Sequence, residues 1–187
     1  MSVVASAESN INVNSSQTEP SIMCGADETE FALLSEDAID GEGWTASVET
    51  YLEDGIDVLA NNTGTKRYKC KGTFYVHIKG GGYVEWATIW VIGTFSWNQD
   101  KNTATVTDCV SNYDLASVSF KVKDSVLTSG NNKGGYFGGN RYAFVEEKLV
   151  LTNGAGQQTF KLWFDVNVKG ETNVNADAEN ISVTEEG

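Results

Sequence analysis

From Lys66 onward, apolar and polar side chains alternate along the chain, the period-two repeat of a strand that wets one face. In RYKCKGTFYVHIK, Tyr68, Cys70, Phe74, Val76 and Ile78 alternate with Lys69, Lys71, Thr73, Tyr75, His77 and Lys79. Gly80-Gly81-Gly82 follows and admits the positive φ of a hairpin turn. The chain returns through YVEWATIWVIGTFSW, turns at NQDKN and continues as TATVTDCV. LASVSFKVK alternates again, and GNNKGGYFGGN reads as a loop before RYAFVEEKLVLTN. After the hairpin loop NGAGQQ, the segment TFKLWFDVNVK sets Phe160, Leu162, Phe164, Val166 and Val168 against Lys161, Trp163, Asp165 and Asn167. Strands separated by turn signals at hairpin spacing predict an all-β fold, an antiparallel β-sandwich of about six to eight strands, with a closed barrel as the alternative.

The flanks are less regular. Residues 1–26 read as a signal remnant and a disordered linker, because ESNINVNSSQTEP holds no sustained apolar period. Residues 27–65 read as an acidic, partly irregular or short-helical segment that packs on the core. Phe31, Leu33 and Leu34 form an apolar patch there, and Val48, Tyr51, Leu52, Ile56 and Leu59 match a helical stripe, although Gly55 leaves a short strand pair open. Residues 66–169 are the expected core, and 170–187 an acidic flexible tail.

Charge sharpens this division. Residues 1–65 hold 13 acids and no Lys or Arg, 66–169 hold 13 bases and 8 acids, and 170–187 add 5 acids and no base. With a net charge of -13, phosphate-directed nucleic-acid binding is not expected. Acidic termini solvate an exported protein; alternatively the acidic arm covers a basic surface meant for a polyanion, as in a toxin or inhibitor-like effector. No stretch of about 20 apolar residues predicts a transmembrane helix.

Ala5-Ser6-Ala7, behind two valines, fits the end of a secretory signal, so a secreted or cell-surface location is expected. Cys24, Cys70 and Cys109 match no zinc spacing. One disulfide is possible, with Cys70 and Cys109 on predicted strands as the expected pair, and three reduced thiols as the alternative. The hairpin GTFSWNQDKNTATVTDCVSNYD, Gly93 to Asp114, resembles small secreted β-sandwich proteins of Gram-positive bacteria, in which Gly-Thr-Phe, an aromatic and an Asn precede a Thr-rich strand. The resemblance is confined to this hairpin and implies export and fold; Cys109 stands outside it.

Candidate chemistry favours binding over catalysis. The central stretch is apolar on both phases, and Trp86 and Trp90 would stand about 13 Å apart on one side. Tyr75 and Trp163 fall on the polar phase of their strands and join the same expected aromatic face, while Tyr136 and Phe137 sit at the tip of a Gly-rich loop. Rings on a rigid sheet suit a glycan, a cell-wall polymer or a surface protein. The alternative is that the N-terminal segment covers those rings as a third layer. No catalytic motif, metal set or cofactor fingerprint is present, and neither the DETE nor the LEDGID acids match a calcium loop. A glycoside hydrolase would need two facing carboxyls, drawn from Glu85, Glu146, Glu147 and Asp165. His77 alternates with lysines and reads as an exposed structural imidazole.

Overall fold

The computed structural model describes residues 31–53, 62–78, 80–136, 140–153 and 156–181, apart from the side chains of 135 and 136. Within them the alternating pattern becomes nine strands in two antiparallel sheets. β1 (Phe31–Gly41), β2 (Trp44–Glu53), β3 (Thr63–Ile78), β4 (Gly82–Asn98) and β5 (Thr103–Leu115) form the first sheet in chain order. β6 (Lys121–Tyr136), β7 (Asn140–Asn153), β8 (Gly156–Asn167) and β9 (Thr172–Glu179) form the second, again in chain order. The expected β-sandwich is therefore present, as two meanders laid face to face.

Both sheets turn one face into a shared core. β3 buries Tyr68, Cys70, Phe74 and Val76, β4 buries Ala87, Ile89, Val91 and Phe95, and β8 answers with Phe160, Leu162, Phe164 and Val166. Rings meet across the gap: Phe74 and Phe160 at 5.2 Å between centroids, Tyr68 and Phe164 at 5.3 Å, Phe95 and Phe164 at 5.4 Å. Gly72 leaves room for the opposite sheet, since a Cβ there would stand 2.9 Å from Leu162 Cδ1.

One long side of the sandwich is sewn shut. Asn131 Oδ1 accepts the Val106 N–H at 2.7 Å and Asn132 Oδ1 accepts the Ala104 N–H at 2.9 Å, so amides of β6 satisfy edge donors of β5. Deeper in, the fully buried Glu147 carboxyl accepts Ser111 Oγ of β5 and Ser125 Oγ of β6, both at 2.7 Å.

Five expectations need correction. Residues 31–53 are a β-hairpin and not a short helix: Trp44, Ala46, Thr50 and Val48 are buried at period two, and Tyr51 of the supposed helical stripe points to the other face. β1 and β2 also extend the first sheet in its own plane, so they are not a third layer over it. The segment expected as a flexible tail supplies β9, whose alternation of Val174, Ala176 and Ala178 with Asn173, Asn175 and Asp177 is made of small residues and was masked by acidic composition. The strand expected at LASVSFKVK begins only at Lys121, after a turn in which the Phe120 N–H donates to Ser117 O at 3.3 Å, and runs into the predicted Gly-rich loop as far as Tyr136. Finally, Cys70 and Cys109 are both free. Their strands are separated by β4, roughly 10 Å apart at normal strand spacing, beyond the ~7 Å Cα reach of a disulfide. The proposed signal, the linker, Cys24 and the DETE acids lie outside the described residues.

The turn into β9 is tightly held. Asn167 Oδ1 accepts the N–H groups of Lys169 at 2.9 Å and Glu171 at 3.1 Å, and Gly170 sits at φ 78°. A Cβ at Gly170 would lie 2.6 Å from the buried Trp97 indole, whereas Gly80, at φ 79°, faces open space. Gly80→Ala should therefore cost only the ~1–2 kcal/mol of a left-handed backbone, and Gly170→Ala about 1–3 kcal/mol more for overpacking, measured as the difference in urea midpoints. Equal midpoints for the two variants would show that Trp97 does not confine this turn.

Candidate functional site

A single extra residue decides where the aromatic candidates go. β3 and β4 are in register at Phe74 with Ala87, but Tyr75 then faces Glu85, leaving Trp86 as the unpaired residue of a β-bulge. The bulge resets the phase and turns Trp86 inward, where it packs on Phe120 at 4.6 Å and on the core ring Phe160 at 6.2 Å. The expected pairing of Trp86 with Trp90 on one face is thereby overturned. Trp90 stays on the outer face of the first sheet, in a row with Lys71 and Asn112, and Tyr75 shares that face opposite Glu85. Trp163 lies on the outer face of the second sheet, on the far side of the sandwich from Trp90. Phe137 lies outside the described residues, and Tyr136 enters only as the backbone end of β6.

Of the four proposed acids only Glu146 and Asp165 share a face, the outer one of the second sheet. Glu85 is on the outer face of the first sheet beside Thr88, Glu147 is interior, Asp165 is buried, and Glu146 is on the outer face of the second sheet. Glu85 and Glu146 thus face away from each other and cannot share a cleft. Two acids of the N-terminal stretch are paired within the first sheet: Glu49 meets Lys71 at 3.1 Å and Glu53 meets Arg67 at 3.7 Å. The edge of His77 meets the Tyr83 ring at 5.3 Å on an exposed hairpin.

What the structure does assemble is centred on Trp163. Phe144 and Trp163 project outward from adjacent strands and stack at 4.1 Å with planes 6° apart, and Tyr142 flanks both at 6.3 and 6.2 Å. Phe144 lies over Gly130 of β6, where a Cβ would come within 2.4 Å of the ring. The indole is thus backed by a second ring and cannot tip toward β7. Its N–H donates to Asp165 Oδ2 at 2.7 Å, and Asn173 Nδ2 of β9 donates to the same oxygen at 3.1 Å. One buried carboxyl therefore fixes two groups that line a groove. Burial is the largest influence on Asp165 and holds its carboxyl above the usual range, against the opposing pull of the two hydrogen bonds.

The groove has a volume of about 370 Å³ and is walled by Glu146, Lys161, Trp163, Asn173, Asn175 and Asp177. Lys161 is held at 3.5 Å from Asp177 and in contact with Glu179; these partners raise the pKa of its amine. An indole platform rimmed by amides and carboxyls can stack on an apolar ring face while exchanging hydrogen bonds with hydroxyls.

Comparison with protein-family models, with curated proteins and with solved structures found no match to this chain. Among the described residues no group of three or more His, Cys, Asp or Glu side chains could hold a metal ion, and no helix is long and apolar enough to cross a membrane. Of the sequence candidates, Trp163 and Glu146 line the groove, and Trp163 is the one aromatic among them. Its companions Tyr142, Phe144, Asn173, Asn175 and Asp177 were not singled out, although RYAFVEE places Tyr142, Phe144 and Glu146 on one phase and TNVNADAE does the same for Asn173, Asn175 and Asp177.

The raised Asp165 pKa carries a sign that can be checked. A carboxyl whose folded pKa exceeds its unfolded value binds more protons when folded, so the fold loses stability as pH rises through that interval. Asp165→Asn removes the titration, so its Tm relative to wild type should rise between pH 3 and pH 7. A relative Tm that falls instead would mean that the two hydrogen bonds outweigh burial.

Proposed function

We propose that this protein is a secreted or cell-surface, non-catalytic module that binds a glycan or cell-wall polymer on the outer face of its second sheet. The observation that carries the reading is the Trp163 platform. It is stacked on Phe144, tied through its N–H to Asp165, and opens onto a groove of amide and carboxyl side chains. A ring held from behind and at its N–H loses little freedom when a sugar stacks on it, and such preorganisation favours affinity. Sheet residues position the groups more rigidly than a loop would. The predicted export and the resemblance of the Gly93 to Asp114 hairpin to secreted β-sandwich proteins agree with a ligand met outside the cell. The masked-effector alternative has less support, because residues 31–41 and 44–53 are two strands of the first sheet, where Glu49 pairs with Lys71 and Glu53 with Arg67.

The test is a glycan array followed by affinity measurement on any ligand found. Trp163→Ala should weaken binding roughly tenfold or more, the scale of an aromatic hot spot. Trp90→Ala, on the opposite face, should leave affinity unchanged, and Trp86→Ala should lower Tm through lost packing on Phe120 and Phe160. Undiminished binding by Trp163→Ala, with Trp90→Ala impaired, would move the site to the first sheet.

A further inference from the structure

The Trp163 groove does not end at β9. It shares Asn175 and Asp177 with a cleft of about 830 Å³ between β9 and the β1–β2 turn, lined by Asp40, Glu42 and the buried Trp44. That cleft shares Ile39 with a third hollow of about 230 Å³, between β1 and β9, which in turn shares Asn173 with the first. The three hollows share wall residues and so adjoin one another in a belt around the eight-residue edge strand β9. Among the described residues the seam between β1 and β9 holds these hollows, in contrast with the side sewn by Asn131, Asn132 and Glu147. Single small-molecule sites occupy ~300–1,000 Å³. A cleft near the top of that range adjoining two further hollows suits a chain of several units rather than one ring.

The belt also has a sign. Glu146, Asp177, Asp40, Glu42 and Asp37 line it against one amine, Lys161, which is already matched by Asp177 and by Glu179 just beyond the lining. Polyanions such as uronates or phosphate-bearing polymers are repelled along the whole path. We infer that the belt around β9 binds an amine-bearing saccharide chain, one ring stacking on Trp163 and ammonium groups of further units facing Asp177, Asp40 and Glu42. The proposal rests on the reading of the Trp163 face given above and adds the ligand's charge and its path. A basic peptide would satisfy the carboxyls, but a sugar ring face covers more of the flat indole than a lone ammonium does, and its hydroxyls both donate to and accept from the amides of Asn173 and Asn175.

Calorimetric titration of the full chain separates these possibilities, with a glucosamine hexamer, an N-acetylglucosamine hexamer, a galacturonate hexamer and hexalysine as probes. At low salt and mildly acidic pH the glucosamine hexamer should bind roughly tenfold tighter than its N-acetylated form, the uronate weakest, and the gap should close as salt is added. The double variant Asp40→Asn, Glu42→Gln, both exposed side chains, should lose the preference while binding the N-acetylated hexamer as before. Equal affinity for the two hexamers at low salt, both weakened by Trp163→Ala, overturns the inference and leaves the Trp163 reading standing. Hexalysine binding as tightly as the glucosamine hexamer also overturns it, since charge alone would then suffice. If none of the saccharides binds, both readings fall.

Discussion

The structure depends on rings that meet between the sheets. Phe74 with Phe160, and Tyr68 and Phe95 with Phe164, join β3 and β4 to β8 at centroid distances of 5.2 to 5.4 Å. Buried aromatics carry large apolar area and prefer the tilted and edge-on contacts found here. With the sheets fixed at that centre, each strand has one face committed to the core and one left over. Every candidate for function must come from the outward faces, the turns or the two open edges.

Those edges are not equivalent. Where β5 approaches β6, side-chain amides accept edge N–H groups and a buried carboxyl bridges two serines. Where β1 approaches β9, the described residues leave two hollows that adjoin the Trp163 groove. An unpaired edge is a hazard unless it is short, charged or covered. β9 is short and alternates Asn, Asp and Glu on its outer side, which keeps its edge from templating another strand and makes it a wall suited to polar ligands. The same residues thus serve solubility and recognition.

Much of the fold was legible because burial on one face forces a period of two. β3 and β8 were readable since their inward residues are mostly large and apolar and their outward ones mostly polar, and β4 and β7 since turn signals bound their apolar runs. β1 and β9 were not, because their inward sets include small residues or are largely exposed, so composition outweighed period. The site was less legible for a different reason. Alternation predicts faces only while register is unbroken, and one inserted residue at Trp86 inverts every assignment on its N-terminal side in β4. Nothing local in YVEWATIW marks that insertion, which is set by how β3 and β4 pair around Phe74. Trp163 was found on the polar phase of its strand correctly, but which sheet it joins follows from the topology, not from its phase.

The position of Asp165 bears on why Trp163 and not Trp90 is the better platform. Both indoles are half-buried on outward faces. Trp90 is flanked by Lys71, already paired with Glu49, and by Asn112, and no ring contact to it is found among the described residues. Trp163 is held against a ring, a buried carboxyl and, through that carboxyl, an amide of the next strand. Burying a carboxyl is unfavourable by itself, as the upward shift of its pKa indicates. A group kept at such cost under a surface aromatic is best understood by what it orients: the indole edge and Asn173, the two faces of one groove.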